Sequence, residues 1–255
     1  MVQTNKSEHR KFVNRPPRKF SDNLKAVAFD LGDTLVEYEG IPLNWEIHYP
    51  AALENLASFL RIAVTPSQIH EACAVLRRYN TRIHPRETEV LFATILRELL
   101  TCFNFATAAD LPGCAGAFFK IFRQRLRCFP DAKPVLAKLQ SQQIQIGIFT
   151  DVPYGMPQNL VLDDLHTAGL ENHFHTLLTS GDTGCRKPSP LTLQALAKKL
   201  DCSAAEMIYV GNERKDIQVA RAFGCYAILI DRHQSGAAWG QDRTITSLSE
   251  LASPS

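Results

Sequence analysis

Short runs of β-branched and apolar residues alternate along the chain with longer stretches in which apolar positions recur every three or four residues. The runs are AVAFD (26–30), IQIGIFT (144–150), FHTLLTS (174–180), MIYVG (207–211) and YAILID (226–231). Each ends in small or polar residues, as strands do. Between these runs lie AKPVLAKLQSQQ, PQNLVLDDLHTAGL, PLTLQALAKKL and KDIQVARAFG, which carry helical spacing, with Gly169 and Gly224 as C-terminal stops. Strand and helix patterns in alternation predict an α/β fold built on a parallel sheet with helices on its faces.

From residue 45 to about 127 the texture changes. NWEIHYPAALENLASFL, PSQIHEACAVLRRYN, ETEVLFATILRELL and CAGAFFKIFRQRL read as four amphipathic helices with no strand signal. They form a helical insertion between the first and second strands. The βα pattern resumes at Phe129 and Pro130, so both ends of the insertion stay beside the carboxyl edge of the first strand, where it can cover a site. The expected organisation is a core of 23–41 and 128–255, a helical insertion of 42–127 and a basic, disordered leader of 1–22. In that leader Lys6, Arg10, Lys11, Arg15, Arg18 and Lys19 face one acid, Glu8, across residues 5–20.

Charge and cysteine usage narrow the picture only by exclusion. A formal net charge of +2 is too near neutral to point to nucleic acid or to a membrane surface. The leader has no apolar core of a secretory signal, and no run is long enough to span a bilayer, so the cytoplasm is the expected location. Seven cysteines without a C-x-x-C pair read as reduced thiols, and HFH (173–175) reads as a strand entrance rather than a metal site.

The candidate chemistry gathers at the strand ends. In an open α/β sheet, ligands bind outside the carboxyl ends of the strands. Asp30 follows the first run directly, Thr150 closes the second with Asp151 next to it, Lys187 lies in SGDTGCRKPSP after the third, and GNERKD follows the fourth. Alone, a strand ending in Asp is a turn and a Thr there is a helix cap. Order and spacing carry the weight.

In that order, and with FPDAKPVLAKLQSQQIQIGIFT and GCRKPSPLTLQALAKKL around them, these residues resemble the four motifs of the haloacid dehalogenase-like (HAD) hydrolase superfamily from about Leu24 to the C-terminus. The resemblance implies a Rossmann-like core with an α-helical cap inserted after the first motif. It implies Asp30 as nucleophile with Lys187 beside it, Thr150, Asp151 and Lys187 on the transferred group, and Asp30, the Gly32 carbonyl, Asn212 and Asp216 around Mg2+. The implied activity is magnesium-dependent hydrolysis of a small phosphorylated metabolite through an aspartyl-phosphate. The residue types suit it, because phosphoryl transfer needs an in-line nucleophile and positive charge about the phosphoryl oxygens.

Two departures from the family pattern matter. Phosphatases of this kind carry a second Asp two residues after the nucleophile, followed by Gly; here the order is Gly32 then Asp33. Glycine keeps the carbonyl a metal would use but has no proton to give, and Asp33 is expected to serve the turn, with acid/base work as the alternative. In VGNERKD, Asn212 replaces an expected Asp, with Glu213 as a possible substitute charge. The competing readings are a weakened HAD fold that binds a phosphorylated ligand or partner, and carbon–halogen hydrolysis by the same aspartate, whose family branch has a bulky aromatic where Gly32 stands. Trp45, His48, Tyr49 and Arg78 face either the pocket or the helical core, so the substrate is not legible.

Overall fold

The computed structural model describes residues 23–106 and 110–251; the basic leader, 1–22, lies outside the described residues. Strands β1 (Ala26–Phe29), β4 (Gln145–Thr150), β5 (Thr176–Thr179), β6 (Met207–Gly211), β7 (Tyr226–Ile230) and β8 (Arg243–Ile245) form one sheet in the order β5-β4-β1-β6-β7-β8. Every pairing is parallel. The first five are the strands the sequence predicts. The sixth, RTI, is three residues long, too short for an alternation to register.

Both faces of the sheet are covered, and the side chains divide between them with period two. Val27, Phe29, Ile146, Ile148, Ile208 and Val210 join one apolar cluster, in which α5 (Ala132–Ser141) places Val135 and Leu139 and α6 (Gln158–Thr167) places Leu160 and Val161. Ala28, Phe149 and Tyr209 face the other cluster, with Leu193 and Leu196 from α8 (Leu191–Lys199) and Ile217 and Ala220 from α9 (Arg214–Phe223). A single turn, α7 (Ser180–Thr183), follows β5. Strand β1 is central, and Phe29 lies opposite both Ile148 and Val210. The next residue, Asp30, therefore stands at the edge where the strand order reverses.

Between β1 and β4 the chain forms α1 (Tyr49–Leu60), α2 (Pro66–Tyr79), α3 (Phe92–Cys102) and α4 (Leu111–Phe119). Helix α2 starts at a capping box of Thr65 and Gln68 with Pro66 in its first turn, and Asp110 accepts from the Gly113 N–H to start α4. Leu53, Leu56, Leu76, Ile95, Leu99 and Phe118 bury the shared faces. The stretch is not free of strand: β2 (Val36–Tyr38) and β3 (Leu126–Cys128) pair antiparallel where the insertion leaves and rejoins the sheet domain. No helix among the described residues is long and apolar enough to cross a membrane, and all seven cysteines are free thiols. In HFH, the His175 ring nitrogen accepts from the Ile146 N–H at 2.9 Å, just ahead of β5.

Candidate active site

Asp30 continues β1 by donating its N–H to the Val210 carbonyl at 2.8 Å, and it is 8% exposed. The loop after it closes quickly, with Leu35 N–H on the Leu31 carbonyl and Asp33 N–H on the Val36 carbonyl at 2.7 Å. Asp33 has φ 55, the left-handed conformation expected of the turn residue. Gly32 does not use that region, and a Cβ built on it meets nothing within 4 Å. The position is open to a side chain that the sequence does not supply.

Behind Asp30 lies Lys187. Its ammonium is 2.6 Å from Asp30 Oδ1 and 2.8 Å from Asp216 Oδ1, and it sits over the Phe149 and Tyr209 rings at 4.7 and 5.5 Å. Burial works against the charge on Lys187, but Asp216 and Asp30 outweigh it and hold the proton well above the ordinary lysine range. For Asp30 burial is the stronger influence, pushing its carboxyl up to about 7 against the pull of Lys187. Asp216 is fully buried; its second oxygen accepts the Glu213 N–H at 2.8 Å at the start of α9. It fits under β6 because Gly211 has no side chain: a Cβ there would lie 2.4 Å from Asp216.

Thr150 ends β4 on the cavity wall. Asp151 accepts the Lys187 backbone N–H at 3.1 Å, and its other oxygen lies 3.4 Å from Lys215 and 3.7 Å from Arg186. Arg186 is 4% exposed; it donates to the Val152 carbonyl at 2.7 Å and pairs with Glu89 of the insertion. Glu89 also accepts from Ser180 at 2.5 Å, and its N–H donates to the Gly184 carbonyl while Arg186 N–H donates to the Glu87 carbonyl. The insertion thus pairs directly with the segment that carries Lys187. Neither Glu89 nor Arg186 was signalled in the sequence.

Asn212 accepts from the Thr34 hydroxyl at 3.3 Å. Glu213 turns away to Arg82 of the insertion at 2.5 Å and Lys215 at 3.0 Å. Burial would raise its carboxyl, yet Lys215 and Arg82 hold it to about 2. A cavity of about 190 Å³ joins Asp30, Gly32, Asp33, Thr150 and Asn212 to Trp45 and Asn80 of the insertion. Lys187 and Asp216 lie behind its wall. Of the insertion side chains left open by the sequence, Trp45 lines the cavity, His48 packs edge-on against Phe122, Tyr49 is buried with its hydroxyl bonded to Tyr154 and Asn80, and Arg78 is outside, paired with Glu98.

No cluster of three His, Cys, Asp or Glu side chains among the described residues could hold a metal. Magnesium does not need one, since it takes a few hard oxygen ligands and keeps several waters. The Asp30 carboxylate, the Gly32 carbonyl and the Asn212 amide oxygen are such donors and share the cavity wall, so these residues fit the ion. Asp216, expected beside them, is not on that wall; its oxygens are taken by Lys187 and the Glu213 N–H.

A parallel sheet with an aspartate at the end of its central strand, backed by a buried lysine and a second carboxylate, defines a hydrolase of the haloacid dehalogenase type. The chain belongs to that family: the haloacid dehalogenase-like hydrolase model matches residues 24–224. It is 30% identical over 229 residues to a ribulose-1,5-bisphosphate 5-phosphatase of Halopiger xanaduensis, covering 87% of this chain and 91% of the relative. It is 33% identical over 205 residues to a phosphoglycolate phosphatase of Yersinia pestis, covering 80% of each. Among solved structures, a HAD phosphatase from Thermococcus onnurineus superposes with a TM-score of 0.61 at 23% identity, over 89% of this chain and 96% of that one. A 2-haloacid dehalogenase from Pseudomonas syringae pv. Tomato DC3000 superposes with 0.59 at 22%, over 90% and 96%. At these identities the structural likeness is one of fold.

Proposed function

We propose that this chain is a magnesium-dependent phosphohydrolase of small phosphorylated molecules that works through an aspartyl-phosphate on Asp30, with the helical insertion as its cap. The observation that carries the reading is Asp30 on the cavity floor, with one carboxylate oxygen held by Lys187 at 2.6 Å. Family membership and relatives named as phosphatases support it.

In the first step the carboxylate of Asp30 attacks phosphorus, and the P–O bond to the leaving group breaks with its electron pair on the departing oxygen. In the second, water attacks the acyl phosphate and returns inorganic phosphate and free Asp30. Lys187 supplies fixed positive charge beside the nucleophile without reorganisation, because Asp216 and the rings around it leave it one position. Thr150 offers a hydroxyl on the cavity wall, and Asp151 fixes the backbone that precedes Pro188. Asp30, the Gly32 carbonyl and Asn212 would hold magnesium, which when bound supplies the charge that lets a carboxylate approach a phosphoryl dianion. Asp216 acts from behind, by holding Lys187 and the start of α9.

The test is Asp30→Asn with phosphate release measured over a panel of phosphate esters, and circular dichroism as the check on folding. The variant should fold and lose more than about 99% of turnover, since an amide is not a competent nucleophile. Residual turnover of several per cent places the nucleophile elsewhere. Halide release from a haloacid by the metal-free wild type would instead favour carbon-centred chemistry.

A further inference from the structure

We infer that the preferred substrate is a phosphate ester with a flat, uncharged leaving group that departs as a weakly basic oxide: an aryl or enol phosphate rather than a sugar phosphate or a phosphorylated carboxylic acid. This rests on the phosphohydrolase reading and narrows it. Three features of the cavity converge.

The first is the supply of protons. When the P–O bond breaks, its electron pair stays on the leaving oxygen, which must be protonated or be stable as an oxide. The phenols on the wall are engaged elsewhere: Tyr38 with Asp164 at 2.7 Å, Tyr79 with Glu98, and Tyr154 with Tyr49. Of the wall carboxyls other than Asp30, Asp151 faces Lys215 and Arg186, and Glu213 is gripped by Arg82 and Lys215. Gly32, next to the nucleophile, has open space where a side chain would stand. Asp33 remains, on the left-handed backbone of the turn.

The second is charge. The basic side chains on the cavity wall are Arg82, Arg123, Arg186 and Lys215. Each already has an acid: Arg82 and Lys215 share Glu213, Arg123 holds Asp164 at 2.7 Å, and Arg186 holds Glu89. A carboxylate or second phosphate on the substrate would have to compete with an acid already bound to whichever of these side chains it met.

The third is shape. The wall carries an apolar set, Ile41, Pro42, Leu43, Trp45, Met156 and Val161, beside the polar Asn80 and Thr81 and the paired Arg82 and Arg123. The Trp45 plane is fixed by stacking on Phe122, with centroids 3.8 Å apart and 9° between planes. A dry cavity of about 150 Å³ holds benzene, so about 190 Å³ suits one ring with its phosphoryl group.

The experiment is kcat/KM of the full chain with magnesium on phenyl phosphate, benzyl phosphate and phosphoglycolate. Phenyl and benzyl esters share the ring and differ in the basicity of the oxygen; benzyl phosphate and phosphoglycolate differ in charge and shape. Phenyl should exceed benzyl by ~10²-fold or more, the low end of what an acid catalyst contributes. Benzyl should exceed phosphoglycolate. Gly32→Asp should raise benzyl relative to phenyl by about tenfold or more. Trp45→Ala should raise KM for phenyl phosphate by about tenfold, the equivalent of one lost aromatic contact. Phosphoglycolate turned over as well as phenyl phosphate, equal rates on the two ring esters, or a selective loss of benzyl turnover in Asp33→Asn would overturn the inference while leaving the phosphohydrolase reading standing. No turnover of any ester, with no phosphate trapped on Asp30, would overturn both.

Discussion

Asn212 offers a divalent cation a neutral amide oxygen where a carboxylate would offer charge. The sequence left Glu213 as a possible replacement, but its carboxylate is committed to Arg82 and Lys215. Magnesium should therefore bind weakly, and Asn212→Asp should lower the half-saturating concentration by about tenfold, close to one interaction of ~1.4 kcal/mol. A magnesium titration of initial rates measures it; wild type and variant saturating alike would mean that another group already completes the site. That Asp30 and Thr150 reach one edge of the sheet was legible because a strand end fixes where it delivers its residues, whereas Lys187, beyond the α7 turn, was placed only by the motif resemblance. Glu89 and Arg82 were not legible. Their partners are 97 and 131 residues away, and nothing in the local pattern of an exposed-looking RETE or RRYNTR stretch announces a buried or bridging charge.

At the scale of elements, five strands and four insertion helices were legible because each is long enough to show its period, whereas β2, β3 and β8 have three residues each and none to spare. What those short elements do depends on polar contacts that periodicity does not report. The segment 87–89 is held against 184–186 by two backbone hydrogen bonds and by the buried Glu89–Arg186 pair. Glu89→Gln removes one partner of that pair and should cost about 3 kcal/mol in a urea melt, because the guanidinium is left partly uncompensated. Replacing both by Met should recover most of that stability. A Glu89→Gln chain as stable as wild type would show that the pair carries no net weight. A second junction joins α5 to the strand β7 edge: Asp131 accepts from Arg232 at 2.9 and 3.0 Å, from Ser247 at 2.8 Å and from the Leu248 N–H at 2.9 Å. Burial pulls its carboxyl upward, but Arg232, Ser247 and Leu248 together hold it below the ordinary 3.8. A depressed folded value means that the stabilisation is full above the unfolded value and lost as pH falls through the folded one. Asp131→Asn should thus cost about 2 kcal/mol at pH 7, and the gap to wild type should narrow below about pH 4. Urea midpoints at pH 7, 5 and 3 read it; a gap of constant size at all three would contradict the assignment.

For the whole molecule the question is whether insertion and sheet are one cooperative unit or two. Their contact is continuous rather than confined to the β2–β3 neck: Leu53, Leu76, Phe92 and Phe118 of the insertion belong to the same apolar cluster as Val27, Ile146, Leu165 and Val210. Across it, Tyr154 after β4 packs edge-on to Tyr49, with ring centroids 5.9 Å apart. Two polar junctions, Glu89–Arg186 and Arg82–Glu213, also tie the insertion to the loops of the sheet. Separating the two parts would expose apolar surface and uncover a buried charge at once, so we expect them to unfold together. The chain carries its own reporters, since its two tryptophans stand in different places: Trp45 among Phe119, Phe122 and Tyr154, and Trp239 against the cluster on the far face of the sheet. Trp239→Phe leaves fluorescence that reads the insertion, and Trp45→Phe leaves fluorescence that reads the sheet. In urea, each should trace the same midpoint as the far-ultraviolet circular dichroism of its own variant. A Trp45 transition that precedes the dichroism would make the insertion a separately folding unit. The Glu89–Arg186 pair would then be a contact that opens before the molecule unfolds, and the cavity would have a route by which its apolar wall can swing away from Asp30.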